Sequence, residues 1–488
     1  MIKNLRNLLF LLLLLLLGAC SKSTPDYITK DDTNEDTSEL TSEDIIILHM
    51  NDIHADINNF PKIASYINKL RETNPNVFLL SAGDLFSGNP VVDQYDKPGY
   101  PMIDLMNQLK FDVSVIGNHE FDYGQEILNN RIDQANFPFI CANINAENAI
   151  LNQPEPYITL ETSLGFPIIV LGLIETGTHI GDRYIPSTHP DKVEKIDFPY
   201  YRYEIKNYTN LKKSDNLFLV LSHLGEGSDQ RLADENAEID IIVGGHSHKI
   251  IQNPYNRNNA LICQAGSKGR FLGRIDIKVK DGFVLSKSAK LIEVDNLSET
   301  DDEIASLVNE YNNNDVLERV IAQNLAEFKN KDELGALMTD AINWKLNTDI
   351  AFQNSGGIRS WLPFGDIKVK HVYELDPFNN EVIIFEMTCD EIRSLINSGG
   401  NGDLKVAGIQ YRYLEQAGIQ LENYDGSVID ETKTYKVGIS SYIASAYTFD
   451  HTDEGQNSYV TSANCLIKFL EHKKEINYSG VKRIFGTN

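Results

Sequence analysis

The run Ile239-Asp240-Ile241-Ile242-Val243-Gly244-Gly245-His246-Ser247-His248 decides how this chain of 488 residues is read. A short apolar stretch rich in β-branched residues, ended by paired glycines, reads as a strand buried on both faces of a layered sheet. Two histidines follow it at once. Working outward, the same pattern recurs. The apolar run at 45–48 leads into Asn51-Asp52-Ile53-His54, and that at 77–80 into Gly83-Asp84. The run at 113–116 leads into Gly117-Asn118-His119-Glu120, and that at 217–221 into Ser222-His223. Further strand-like runs lie at 167–173 and 273–279, and amphipathic segments at 60–71 and 102–109 alternate with them. This alternation indicates an α/β layered fold. In such folds the ligand crevice lies at the carboxyl ends of the strands. Asp52, His54, Asp84, Asn118, His223, His246 and His248 are therefore expected to converge on one rim.

The donor types narrow the chemistry. In Asp52-x-His54 and His246-x-His248, an extended backbone would turn both partners to the same side. The set contains carboxylate, imidazole and one amide, with no thiolate. That mixture suits zinc, manganese or iron rather than a structural thiolate zinc site. Two such cations about 3.5–4 Å apart can activate water and clamp an in-line displacement at phosphorus. Singly, each residue has an ordinary structural explanation: Asp84 and Asp122 as turn formers, Asn118 as a helix cap. Together, in this order and at strand ends, they point to a dinuclear site. His49, His179, His189, His371, His451 and His472 fall outside the pattern and are read as structural.

Composition sets the limits. The formal net charge of −26 argues against general nucleic-acid binding, which needs clustered Lys and Arg. It does not exclude an anionic substrate, because bound divalent cations reverse the local field. At the N-terminus, Lys3 and Arg6 precede an apolar run at 8–17 that is too short for a membrane span. It ends Leu17-Gly18-Ala19-Cys20, which resembles a bacterial lipoprotein cleavage box. The expectation is a signal peptide at 1–19, lipidation of Cys20, and an acidic tether over 20–43. The remaining cysteines, Cys141, Cys263, Cys389 and Cys465, are widely spaced, and their pairing does not follow from spacing.

A first folded unit is expected over 44–298 and a helical connection over 299–328. In the connection, Ile304, Leu307, Val308 and Tyr311 fall at helical spacing behind the acidic Asp301-Asp302-Glu303. A second unit over 329–488 opens with a helix through Leu334, Leu337, Met338 and Ile342.

The metal motifs resemble, in order, those of the calcineurin-like metallophosphoesterases. Leu48-His49-Met50-Asn51-Asp52, Gly117-Asn118-His119-Glu120-Phe121-Asp122 and Gly244-Gly245-His246-Ser247-His248 are similar to the 5′-nucleotidase family of secreted enzymes. Asn354-Ser355-Gly356-Gly357-Ile358-Arg359 is similar to the signature of that family's C-terminal domain. The resemblance implies a four-layer β-sandwich flanked by helices, joined by a helical linker to a smaller α/β substrate-binding domain. It implies one divalent metal on Asp52, His54 and His248, a second on Asn118, His223 and His246, and Asp84 bridging them. His119 would stabilise charge on the phosphoryl group or leaving oxygen, and Asp122 would orient its imidazole. A metal-bound water, its pKa lowered to about 7, would be the nucleophile.

The resemblance further implies that Arg359 binds phosphate or sugar oxygens and that two aromatics sandwich a base. The second stacking position falls at Tyr442. The first falls at Asp403, where the family usually carries Phe, and the family's Gly-Gly-Asp-Gly string is replaced here by Ser445-Ala446-Tyr447-Thr448-Phe449. Tyr447 or Phe449 would supply a replacement face or belong to the core. The implied function is metal-dependent release of phosphate from nucleoside 5′-monophosphates or related nucleotides by an exported, membrane-anchored lipoprotein, periplasmic or at the cell surface. The alternatives are a cyclic-nucleotide, nucleotide-sugar or non-nucleotide ester as substrate, or a non-catalytic surface binding protein.

Overall fold

A computed structural model describes residues 42–415 and 418–486. The expected signal peptide, Cys20 and most of the tether lie outside these residues. The first strand, Ser42–Met50, begins inside the stretch expected to be tether: Ser42 and Glu43 already pair with Lys280 and Val279.

Two six-stranded sheets form the first half. One runs Phe283–Glu293, Phe271–Lys280, Ser42–Met50, Val77–Ser81, Val113–Val115, Phe139–Ile140. The other runs Tyr255–Arg257, Ala260–Cys263, Ile241–Gly244, Leu217–His223, Pro167–Ile174, Tyr157–Glu161. Within each sheet the strands that carry the motifs are parallel to one another: Ile46 pairs with Val77, Leu80 with Val113, and Ile241 with Leu219.

Side-chain alternation sets the layers. Ile45 and Ile47 join Leu219, Leu221, Ile241 and Val243 in a core between the sheets. Ile46, Leu48 and Met50 point the other way, onto Ile63, Ile67, Met102 and Leu105 of helices Phe60–Thr73 and Tyr100–Gln108. Phe218, Val220 and Ile242 face Leu232 and Ala233 of helix Glu226–Glu235. The result is helix–sheet–sheet–helix, the expected four-layer sandwich. Each fully buried aliphatic side chain contributes about 1.5–3 kcal/mol, so the sheets are rigid supports for the loops at their ends.

The connection is only partly helical. Helix Asp302–Asn312 starts where the Asp301 side chain accepts from the amides of Glu303 and Ile304, both at 3.1 Å. It packs Ile304 and Val308 into the first core. A single turn, Asp315–Glu318, follows. Val320–Asn324 is then a strand paired with Gly365–Lys368 and Glu475–Ile476, where a helical linker to 328 was expected. The ladder bonds to these two strands, on either side of Val320–Asn324, exclude a helix there.

The second half is built on the sheet Leu404–Ala407, Ile350–Asn354, Tyr435–Ser440, Glu381–Met387, Gln456–Thr461. Helices Lys331–Leu346 and Ser462–Lys473 pack together through Leu334, Met338, Ile342, Leu466 and Leu470. The four cysteines of the described chain are free and buried.

Candidate metal centre

The ligand candidates sit just past the strands, in loops with unusual backbone. Asp52, His54, Asp84, His246 and His248 all have positive φ, between 49° and 71°. Such conformations cost energy for non-glycine residues and persist where surrounding structure imposes them. They also correct one expectation. Asp52 and His54 do not converge because an extended strand alternates; the strand ends at Met50, and left-handed turns aim both inward. His246 and His248 do not share a site. His248 gathers with Asp52, His54 and Asp84, whereas His246 gathers with Asp84 and His223.

In each group the donor atoms lie within 4.8 Å of one another, and Asp84 belongs to both. Asp84 Oδ2 lies 3.1 Å from His223 Nε2 and 3.9 Å from His54 Nε2. His54 Nε2 and His248 Nε2 are 3.0 Å apart, and Asp52 Oδ1 is 3.4 Å from His248 Nε2. Asn118 joins the second group through its amide oxygen, 3.1 Å from His223 Nε2 and 3.0 Å from His246 Nδ1.

The far sides of these rings are already committed. His54 Nδ1 donates to the Ser87 carbonyl at 3.0 Å, and His223 Nδ1 to the Ala82 carbonyl at 2.7 Å. Those bonds fix the tautomer, so each Nε2 turns a lone pair inward. Lone pairs and carboxylate oxygens aimed at one another suit cations between them; the residues fit two divalent ions.

Charge follows the same logic. Burial alone would raise the Asp84 carboxyl, but His223 and His119 outweigh it and hold Asp84 well below the usual range. Burial would lower His223, and Asp84 beside it raises it instead. Burial pushes Asp52 up and holds His54 and His248 down. Protons and metal ions thus compete for one set of atoms.

His119 stands beside these donors but outside both groups. Its Nδ1 donates to Asp122 Oδ2 at 2.6 Å, and its backbone amide donates to Asp84 Oδ1 at 2.9 Å. Thr188 Oγ1 donates to the other Asp122 oxygen at 3.3 Å. Nε2 is left for the cavity.

That cavity, about 430 Å³, is lined on one side by Asp84, Asn118, His119 and His248. On the other side it is lined by Asn354, Arg359, Phe378 and Tyr442. The two halves of the chain therefore share it. Arg359 and Tyr442, expected at the site, are at its wall. Asp403 is not: it accepts from the Ser355 amide at 3.1 Å and from Tyr447 Oη at 2.6 Å. It braces the Asn354–Arg359 loop instead of offering a face. Tyr447 and Phe449 pack against the core of the second half and do not line the cavity.

Residues 45–250 match the profile of calcineurin-like phosphoesterases, and residues 314–450 that of the 5′-nucleotidase C-terminal domain. The chain belongs to the 5′-nucleotidase family of metallophosphoesterases. Within that family of hydrolases it is 27% identical over 485 residues to a trifunctional nucleotide phosphoesterase of Bacillus subtilis, covering 85% of this chain and 32% of that one. The chain thus spans about a third of that relative's length. It is 26% identical to a 5′-nucleotidase of Vibrio vulnificus, over 82% of this chain and 83% of the other. The 5′-nucleotidase precursor of Thermus thermophilus superposes with a TM-score of 0.76 at 24% identity, over 91% of this chain and 99% of that one, a likeness of fold.

Three residues of this 5′-nucleotidase-type site escaped the sequence reading. Glu120, quoted in its motif without a role, is fully buried. It accepts from the amides of Gly117, Asp84 and Leu85 at 2.5, 3.1 and 2.6 Å. His189, read as structural, lines the cavity and meets Ser441 Oγ at 3.3 Å. Phe378 lies in Asp376-Pro377-Phe378, where only a buried carboxylate in a proline turn hinted at a fixed loop.

Proposed function

We propose that this chain is a metal-dependent phosphohydrolase that releases phosphate from nucleoside 5′-monophosphates or closely related nucleotides. One observation carries the reading: a single buried carboxylate, Asp84, stands within reach of two separate donor groups on one cavity wall. Asp52, His54 and His248 would hold one divalent ion and Asn118, His223 and His246 the other, with Asp84 between them; zinc and manganese suit these donors. When bound, the two ions supply an activated water and neutralise phosphoryl oxygens.

The chain's own residues do the rest. His119, its tautomer set by Asp122, presents Nε2 to the phosphoryl group or the leaving oxygen and stabilises the charge that grows there. Arg359 offers a planar fork for phosphate or sugar oxygens from the opposite wall. Tyr442 offers a face to a base. The relatives named as nucleotide phosphoesterases and 5′-nucleotidases favour a nucleotide substrate.

A second reading changes the substrate alone. Asp403 removes one of the two expected stacking faces, and base stacking is worth about 1–3 kcal/mol per base. That favours a non-nucleotide ester over a nucleotide; a cyclic nucleotide or a nucleotide-sugar keeps the base and differs only in the ester. The leader sequence supports export and lipidation at Cys20; no helix among the described residues is long and apolar enough to cross a membrane.

The test is a hydrolysis panel on the full chain, with zinc and manganese each supplied and withheld. AMP, ribose 5-phosphate, a cyclic nucleotide and a nucleotide-sugar would be compared. Metal-dependent phosphate release, strongest for nucleotides, is expected. No metal-dependent release from any ester would refute the function.

A further inference from the structure

The geometry points to Phe378 as a positioning residue for His119, reaching from the second half of the chain to fix the face of an imidazole in the first. The two rings stack with centroids 5.9 Å apart and 17° between planes. Asp122 fixes the edge of that imidazole, but a hydrogen bond at one nitrogen leaves the ring free to rock about it. A flat neighbour against its face removes that freedom. The Arg359 guanidinium lies 5.6 Å from the Phe378 ring centroid, so the same phenyl ring also contacts the residue proposed to grip the substrate.

Phe378 is itself held. Asp376, 1% exposed, takes the Ser462 hydroxyl on its carboxylate. The Ser462 amide donates to the Asn380 carbonyl at 3.0 Å, and the Arg359 amide to the Leu375 carbonyl at 2.9 Å. These bonds tie the turn to helix Ser462–Lys473 and to the Asn354–Arg359 loop. A turn tied down in this way carries the half-buried phenyl ring as a support for His119 rather than as a mobile clamp for a base.

Phe378 acts on turnover in this way only if His119 acts on the leaving oxygen as proposed above. Phe378→Leu keeps the bulk and loses the flat face; Phe378→Tyr keeps the face. Kinetics would be measured for both, for His119→Asn and for His119→Asn/Phe378→Leu. The substrates are AMP, ribose 5-phosphate and p-nitrophenyl phosphate, whose leaving group needs little help. Phe378→Leu should lower kcat on AMP and on ribose 5-phosphate alike by roughly tenfold, a fraction of what a general acid contributes. Metal content should hold, p-nitrophenyl phosphate should be affected less, and Phe378→Tyr should restore kcat. In the His119→Asn background, Phe378→Leu should change kcat less than twofold, because coupled residues are not additive.

A loss confined to AMP would make Phe378 a base contact and overturn the proposal, as would an undiminished effect without His119. A readout free of turnover is the ring-proton resonance of His119, assigned by its absence in His119→Asn. It should move when Phe378→Leu removes the stacked ring. An unmoved resonance overturns the proposal; a moved resonance in a chain that hydrolyses none of the esters would sustain the stack and refute the function instead.

Discussion

At the scale of single residues, the site is built from side chains whose ordinary behaviour is suppressed. His223 is the strongest influence holding Asp84 below the usual carboxylate range, and Asp84 in turn raises His223 against the effect of burial. His49 shows the cost of an unpartnered group. It is fully buried, its Nδ1 meets no partner, and burial pushes its pKa down to about 4. Between pH 6.5 and 4 the unfolded chain takes up a proton at His49 that the folded chain refuses. Stability from this group is therefore intact above pH 6.5 and is lost as the pH falls towards 4, by up to about 3 kcal/mol. A Cβ at Gly273 would come within 2.0 Å of the His49 ring, so the ring lies flat on that strand. His49→Phe should keep the packing and remove the titration. Urea unfolding at pH 7 and pH 4.5 should then show a smaller acid loss than in the parent; an equal loss would exclude His49 as its source.

At the scale of elements, the decisive feature is the approach of the loops after the second and third motif strands. Glu120 gathers the Gly117, Asp84 and Leu85 amides on one carboxylate. A Cβ at Gly117 would lie 2.5 Å from Asp84 Oδ1 and 2.6 Å from its backbone nitrogen. Gly117→Ala should therefore push the loops apart, weaken metal binding at least tenfold and lower turnover in parallel, as loss of supporting contacts around a metal does. Isothermal titration of the metal-stripped chain measures this, and unchanged affinity would contradict it. The strands and the candidate ligands after them were legible in the sequence because apolar runs of four or five residues followed by His, Asp or Asn carry both signals at once. The loop geometry was not. Period-two alternation suggested that Asp52 and His54 share a side through extended backbone, whereas left-handed turns bring them together. Those turns are imposed by tertiary bonds such as Asp52 N to the Gly83 carbonyl at 2.9 Å, which no local pattern reveals.

At the scale of the whole molecule, the first half presents the metal-ligand candidates and the second half supplies the opposite wall of the same cavity. The α/β layering was legible because strands and helices alternate in a simple pattern, whereas the four-layer sandwich followed from the family resemblance. The second half was less so: its strands are short, and Val320–Asn324 hid within a stretch read as helix. Phe378 was invisible for a related reason, since its partner His119 is separated from it by most of the chain and one stack leaves no periodic trace. The account depends most on Asp84 spanning two cations. The direct measurement is the metal content of the purified full chain and of Asp84→Asn after saturation with zinc or manganese and removal of free ion. Two ions per parent chain are expected, with no more than one in Asp84→Asn and turnover lowered by at least about a thousandfold. A parent chain that holds a single ion at saturation, or an Asp84→Asn chain that keeps both ions and its activity, would contradict it.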